Sequence, residues 1–233
     1  MRLNKFISSC GIASRRAADT LISDGRVTIN NQVVQELGTQ VSPSDIVHVD
    51  GKLAHLPKKT TVILFHKPIG CICSAFDPQG RKTVFEYLPP GYRGLKYIGR
   101  LDLQSRGLLL FTDNGELAHR LTHPSYKIER RYFVWTDSPI SKKDAEQLTI
   151  GVDIGEGETG QAQAIYFKDG FIEMLLTEGK NREIRRMMES LGYRVRDLKR
   201  ISFCDIPLGE TAAGDFRELN DDEVETITKA CRL

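Results

Sequence analysis

The sequence of 233 residues has little net charge and no long apolar run. Lys and Arg outnumber Asp and Glu by two, which by itself indicates nothing about partners. The longest apolar runs, such as residues 108–111, are far shorter than the roughly 20 residues that a transmembrane helix needs. No apolar segment follows the first five residues, so we predict no signal peptide. Neither a membrane protein nor a secreted precursor is expected.

Cysteine is scarce and unevenly spaced, with five residues in the chain. An odd number does not suit a disulfide framework, and we predict reduced thiols in a cytoplasmic protein. Cys71 and Cys73 are separated by one residue, whereas zinc-binding pairs usually have about two to four between them. A metal site would need His66 to join this pair, and we expect no metal. Glycine patterns for phosphate loops or dinucleotides are also absent, so no nucleotide cofactor is predicted.

The composition is that of an ordinary folded protein. Apolar residues make up 40% and charged residues 27% of the chain, which excludes disordered, collagen-like and disulfide-scaffold proteins. At about 100–200 residues per domain, the length allows one large domain or two small ones. A chain of this size can bury enough surface to fold without disulfides or metal.

Positive charge is concentrated in two segments. Residues 1–26 carry a net charge of +3 and residues 178–200 a net charge of +4, whereas residues 205–225 carry −7. Clustered Lys and Arg residues are typical of proteins that bind a phosphate-bearing partner. For either segment alone, a solvated helix face is the simpler alternative.

Residues 1–50 predict a small domain of two helices followed by short strands. Ser14 is placed to cap the second helix, and Gly25 to end it in a left-handed conformation. Asn30 and Asn31 predict a tight hairpin turn between strands. A polar linker is predicted at residues 51–60.

Residues 61–233 predict a larger α+β domain with a mixed, mostly antiparallel sheet, because strands and helices do not alternate as regular β-α-β units. The stretch that follows the first strand is rich in glycine and proline and is expected to be mostly ordered loop. Strands are predicted at residues 61–67, 108–112, 128–135, 161–167, 171–177 and 194–203, and helices at residues 116–122, 181–191 and 220–230 and after Ser141.

Two segments have more functional groups than packing requires. In the first, Asp102 lies between Arg100 and Arg106 in a loop that leads into an apolar strand. Polar groups on loops at the end of a rigid sheet often form a site. The alternative is a surface turn in which Asp102 pairs with one of the two arginines.

The second segment, residues 177–188, combines four basic residues with an apolar stripe. Gly179 is expected to let the chain turn tightly into a helix. Arginine offers a planar fork that can hold a carboxylate or phosphate through two bonds. The alternative is an ordinary amphipathic helix.

In the right order, these motifs resemble those of pseudouridine synthases that modify ribosomal RNA. The similarity lies in Gly-Arg-Leu-Asp at 99–102, Gly-Leu-Leu-Leu at 107–110, Asn-Gly at 114–115 and the basic run at 178–187. The branch is the ribosomal small subunit pseudouridine synthase A type, which includes large-subunit enzymes. Residues 1–50 resemble the αL-type RNA-binding domain that this branch carries ahead of its catalytic domain. The resemblance covers nearly the whole chain.

The resemblance implies an isomerase that converts uridine to pseudouridine with the target base flipped out of its helix. It places the essential aspartate on Asp102, a tyrosine on Tyr132 and the arginine that pairs with the aspartate on Arg185. Arg130 replaces the frequent lysine before that tyrosine, and Ser105 replaces a frequent threonine. Tyr132 is expected to stack on the uracil, with a core position as the alternative. The residues predicted to contact RNA are Arg2, Lys5, Arg15, Arg16, Arg26, Arg100, Arg130, Lys180, Asn181, Arg182 and Arg186.

Two other functions compete with this interpretation. A non-catalytic RNA-binding assembly factor would not need Asp102 in a groove that attracts phosphate. A metal-dependent nuclease would need several convergent carboxylates, whereas the acidic residues near the C-terminus are spread along a predicted helix. We therefore predict a monomeric ribosomal RNA pseudouridine synthase without cofactor. Its motifs are more similar to those of the large-subunit enzymes of the branch.

Overall fold

The computed structural model describes residues 1–57 and 59–233. Lys58 falls within the predicted linker and lies outside the described residues. The chain divides into two compact units. The first unit consists of Met1–Thr60 with Asp113–Gly115, and the second of Thr61–Thr112 with Glu116–Leu233.

The first unit contains two helices and a four-stranded antiparallel sheet of order β2-β1-β3-β4. Ser14 caps the second helix, as predicted, by accepting a hydrogen bond from the Ala17 amide at 3.2 Å. The elements are α1 (Leu3–Ser9), α2 (Arg15–Ser23), β1 (Val27–Ile29), β2 (Gln32–Val33), β3 (Val47–Val49) and β4 (Lys52–Leu53).

The predicted hairpin turn of the first unit is confirmed. Asn30 and Asn31 have φ angles of 50° and 67°, as a two-residue type I′ turn requires. One expectation is wrong at this end of the chain. Lys52–Leu53 was assigned to the polar linker but pairs with β3, and Ala54 beside it is buried in the core of the unit. A two-residue strand of mixed polarity gives no alternation from which to recognise it.

The second unit is built on a sheet that has nine strands within the described residues. Its order is β11-β12-β8-β13-β7-β5-β15, with β14 beside β13 and β6 beside β7. The one parallel pair in this order is β13 with β7, so the prediction of a mixed, mostly antiparallel sheet is confirmed. The strands of this sheet are β5 (Val62–Lys67), β6 (Lys96–Ile98), β7 (Arg106–Thr112), β8 (Arg130–Thr136), β11 (Ala164–Lys168), β12 (Phe171–Leu176), β13 (Val195–Phe203), β14 (Ile206–Pro207) and β15 (Phe216–Glu218). Two further short strands, β9 (Val152–Asp153) and β10 (Thr159–Gly160), pair with each other as a separate antiparallel sheet.

Apolar side chains pack on both faces of this sheet. Along β7, Leu108 and Leu110 join a cluster with the C-terminal helix, whereas Leu109 and Phe111 join a cluster with the loop after β5. A further cluster packs β8, β12 and β13 against two helices. The remaining helices are α3 (Gly115–Thr122), α4 (Lys142–Ile150), α5 (Glu183–Ser190) and α6 (Asp221–Ala230).

Two local features of the second unit differ from the prediction. A short strand that was not predicted, β6, follows the glycine-rich stretch and pairs with β7. Helix α5 begins at Glu183 rather than at residue 181, and Arg182, not Gly179, adopts the left-handed conformation, with φ of 49°. The Glu183 carboxylate accepts a hydrogen bond from the Lys180 amide at 3.0 Å, and this turn delays the start of the helix.

Candidate active site

A cleft of about 260 Å³ lies in the second unit between the Asp102 loop, β8 and the segment before α5. The loop enters β7, and β8 and β13 form the wall beside it. The sequence motifs at 99–105 and 178–184 therefore meet at one site. The residues predicted for the site that line this cleft are Arg100, Asp102, Arg130, Tyr132, Lys180, Asn181 and Arg182, and Ser105, Glu183 and Arg200 lie with them.

Asp102 is half-buried at the edge of the cleft, between buried Leu101 and buried Ser105. The alternative of a surface turn paired to an arginine is not what is observed. Arg106 instead donates to both oxygens of Asp197, at 2.9 and 3.1 Å from Nε. In the part of the chain that the structure describes, the Asp102 carboxylate forms no ion pair, so it is available to a ligand.

Lys67 holds the main chain of the Asp102 loop in place. Its side chain is fully buried, and its ammonium group donates to the carbonyl oxygens of Ser105 at 2.7 Å, Asp102 at 3.0 Å and Pro68 at 3.1 Å. Three donors thus meet three acceptors. Burial lowers the pKa of Lys67. Sequence analysis missed this residue, although a lysine that ends an otherwise apolar strand was a usable signal.

Arg185 does not pair directly with Asp102 as the resemblance implied. Its guanidinium is buried and donates to the carbonyl oxygens of Gln104 at 2.7 Å and Val195 at 3.3 Å. Burial, helped by the charge of Arg182, lowers the pKa of Arg185, and the Asp102 charge acts in the opposite direction. Arg185 therefore binds the loop two residues after Asp102, and its charge acts on the carboxylate without a direct hydrogen bond.

Tyr132 takes the core position that was considered as the alternative for it, and it also lines the cleft. The side chain is 9% exposed and belongs to the core cluster of β8, β12 and α5, and it also lines the cleft. Arg130, two residues earlier on β8, is buried and donates to the carbonyl oxygens of Leu121 and Ile128. Side chains two apart on a strand point to the same face, so both face the cleft.

Arg200 is a further cleft residue that sequence analysis missed. It is 2% exposed, and its Nε donates to the carbonyl oxygen of Leu108 at 2.7 Å across the β13–β7 pair. The strands approach closely here because Gly107 has no side chain. A Cβ at position 107 would lie 2.2 Å from the Arg200 carbonyl oxygen. Gly107 therefore allows β7 and β13 to pair closely beside the Asp102 loop.

The polar residues of the second motif divide into two groups. Lys180, Asn181 and Arg182 line the cleft, although the Lys180 ammonium is bonded to Glu178 at 2.7 Å. Arg186 does not line it. Its guanidinium donates to the Ile154 carbonyl oxygen at 2.8 Å and to the Glu158 carboxylate at 2.7 Å. Protein acceptors occupy this side chain in the structure, and a contact of Arg186 with RNA stays a prediction.

The basic residues predicted to bind RNA in the first unit lie mostly on its surface. Arg2, Arg15 and Arg16 are exposed, and Lys5 is half-buried. Arg26 is engaged by a bidentate ion pair, in which two nitrogens donate to the two oxygens of its partner at 2.7 Å. This pair lowers the pKa of the partner, Asp50.

The described residues contain no cluster of metal-binding side chains. Within residues 1–57 and 59–233, no three His, Cys, Asp or Glu side chains converge as metal ligands would. All five cysteines are free thiols, as predicted. His66 bonds through Nδ1 to the Thr211 carbonyl oxygen at 2.7 Å rather than joining Cys71 and Cys73. Across the same residues, no helix has the length and apolarity to span a bilayer.

Comparison with known proteins agrees with this arrangement. Residues 61–190 match the RNA pseudouridylate synthase family, and residues 1–47 match the S4 domain. The chain belongs to the RNA pseudouridylate synthase family and is an enzyme. These matches confirm the family resemblance and the predicted pairing of a small N-terminal domain with a catalytic domain.

The similarity extends over the whole chain. It is 37% identical to the ribosomal large subunit pseudouridine synthase B of Bacillus subtilis, over 97% of this chain and 95% of the relative. An uncharacterized RNA pseudouridine synthase of Aquifex aeolicus is 35% identical, over 100% of this chain and 96% of the relative. A crystal structure of a pseudouridylate synthase superposes with a TM-score of 0.71 at 28% identity and covers 97% of this chain and 99% of that chain.

Proposed function

We propose that this protein converts a uridine of large-subunit ribosomal RNA to pseudouridine and that Asp102 is its essential carboxylate. The observation that carries the proposal is the position of Asp102 in the cleft. The carboxylate has no ion-pair partner in the described residues, while buried Lys67 fixes the loop that carries it through hydrogen bonds to the Asp102 and Ser105 carbonyl oxygens. The Bacillus subtilis relative bears a large-subunit name, which supports this choice of RNA.

The reaction needs no oxidant, reductant or group donor because its atoms balance within the nucleotide. The bond between the sugar C1′ and uracil N1 breaks, a bond between C1′ and uracil C5 forms, and the proton lost from C5 is matched by one gained at N1. An ionised aspartate can act in this sequence as nucleophile or base. The two roles remain alternatives for Asp102.

The target base must leave its helix before Asp102 can reach it. A paired uracil cannot turn within a duplex, so the enzyme extrudes it at a cost of a few kcal/mol of unstacking. Tyr132 lines the cleft and offers an aromatic face, and stacking of a base on such a face contributes roughly 1–3 kcal/mol. We infer that Tyr132 stacks on the extruded uracil.

Basic and amide side chains hold the RNA while the base is extruded. Arg100, Arg182, Lys180 and Asn181 line the cleft, where they can contact the target nucleotide or its neighbours. The exposed arginines of the first unit are inferred to contact phosphates further along the RNA. We infer in addition that the enzyme acts as a cytoplasmic monomer and takes part in ribosome biogenesis.

The test is to map pseudouridines in ribosomal RNA from cells that lack this protein and from cells complemented with variants. Wild type should restore the missing pseudouridine, and Asp102→Asn should not, although it folds and binds RNA. The matched control is Asp169→Asn, which changes an exposed aspartate in the turn between β11 and β12. Restoration by Asp102→Asn would remove the assignment of the carboxylate. An unchanged pseudouridine pattern without the protein would favour a non-catalytic assembly factor.

A further inference from the structure

Two buried guanidinium groups line the cleft without an anionic partner. Arg130 is 7% exposed and Arg200 is 2% exposed. Their hydrogen bonds go to main-chain carbonyl oxygens, and across the described residues neither forms an ion pair with a carboxylate. The Nη2 atom of Arg200 is buried and has no hydrogen-bond acceptor. A buried charge is normally paired, so this arrangement lacks a negative group.

The two guanidinium groups pack against the same aromatic ring and line the same cleft. Each lies about 5 Å from the ring of Phe203, at 5.1 Å for Arg130 and 5.0 Å for Arg200. Burial lowers the pKa of Arg130, and the charge of Arg200 contributes to the same shift. A single anion placed in the cleft can therefore be close to both groups and relieve their repulsion.

The buried acidic side chain of the cleft does not supply this anion. Glu183 lines the cleft and acts electrostatically on Arg130, but it forms no ion pair with it. Its side chain is 4% exposed, and burial raises its pKa, which favours the neutral acid. Asp102 also lines the cleft, but within the described residues it forms no ion pair with either arginine, so the partner that remains is a negative group of the ligand.

We propose that Arg130 and Arg200 bind a phosphate group of the RNA backbone next to the extruded uridine. The planar guanidinium group matches the oxygens of a phosphate, whose negative charge can neutralise it. A neutral base could not neutralise the two positive charges. Arg200 pairs in register with Tyr132, and Arg130 lies two residues from Tyr132 on the same face of β8. Side chains at that spacing are about 7 Å apart, so they can contact different parts of one nucleotide. The inference rests on the proposed function.

The experiment measures pseudouridine formation in single turnover with synthetic RNA hairpins that carry the mapped target uridine. One hairpin is unmodified, and two others have an uncharged methylphosphonate in place of the phosphate on the 5′ or the 3′ side of that uridine. Wild type should react at least tenfold more slowly with one of the two neutral linkages. Arg200→Met should react slowly with the unmodified hairpin and show no further loss with that linkage.

The matched control is Arg196→Met, which removes an exposed arginine from the same strand and should keep the full sensitivity to the linkage. Arg200→Lys retains the charge and should retain part of the sensitivity. Equal rates of wild type on all three hairpins would overturn this inference and leave the proposed function intact. This measurement uses only the wild-type protein, so it does not depend on whether a variant folds. An equal penalty in wild type and Arg200→Met would also overturn it. No product from the unmodified hairpin would overturn the proposed function itself and this inference with it.

Discussion

Replacement of Lys67 by methionine tests whether the buried lysine positions the Asp102 loop, because it removes hydrogen bonds to the loop and leaves Asp102 itself unchanged. Methionine preserves the length of the buried side chain but removes the three donors that hold Pro68, Asp102 and Ser105. Hydrogen bonds to a charged donor contribute about 1.5–3 kcal/mol each. Removing the buried ammonium also relieves a desolvation cost of several kcal/mol, which offsets much of this loss. We expect the free energy of unfolding to fall by about 2–3 kcal/mol.

Catalysis should suffer more than RNA binding in Lys67→Met. Two of the three lost bonds fix the loop that carries Asp102, and a displacement of about 1 Å from the reacting geometry can cost on the order of a hundredfold in rate. The assay combines denaturant unfolding with single-turnover pseudouridine formation at saturating enzyme. The control is Lys168→Met, at an exposed position of β11. A destabilised variant with an unchanged single-turnover rate would show that Lys67 supports the fold but not the position of Asp102.

Two further predictions concern the sheet beneath the cleft. Gly107→Ala should destabilise the protein by about 3 kcal/mol or more, because its Cβ would lie 2.2 Å from the Arg200 carbonyl oxygen and its φ of 108° is strained for alanine. Denaturant unfolding checks it, and a loss within about 1 kcal/mol would mean that the strands separate easily. Burial, with the charges of Lys199 and Arg106, lowers the pKa of His66, while its bond to Thr211 opposes the shift. At a pH between the two pKa values of His66, the unfolded chain binds more protons than the folded protein. The free energy of unfolding should therefore decrease as the pH falls below about 6.5. His66→Gln should reduce this pH dependence, which unfolding measured from about pH 7.5 to 5.5 would show. An equal pH dependence in the variant would refute this role of His66.

Local chemistry made much of the fold predictable from sequence. Ser14 caps α2 and the two asparagines make the turn after β1, because both depend on the residues themselves and their immediate neighbours. The strand β6 was missed because its pairing partner β7 supplies the reason for it to be extended. Short strands that depend on a distant partner leave little trace in local periodicity.

The site was predictable in part for the same reason. Asp102 and the segment before α5 could be brought to one site because their motifs are continuous in sequence, and Tyr132 was placed there by the family resemblance. The bond partners of Arg185 and Arg186 could not, because each donates to carbonyl oxygens of residues brought near only by the fold. Lys67 and Arg200 were missed because their roles depend on burial, and a charged residue at the end of an apolar strand has the same sequence pattern whether it is buried or exposed.

The buried cations around the cleft fall into two kinds, and the difference indicates why each is present. Lys67 has three donors and three carbonyl acceptors, so its environment is complete in the free protein. Arg200 leaves a buried nitrogen without an acceptor and has no counter-ion among the described residues. Apolar replacement of buried charges is often neutral or stabilising, so folding alone does not account for Arg200. Lys67 is explained by the loop it holds, whereas Arg200 is explained by a negative group that arrives with the RNA.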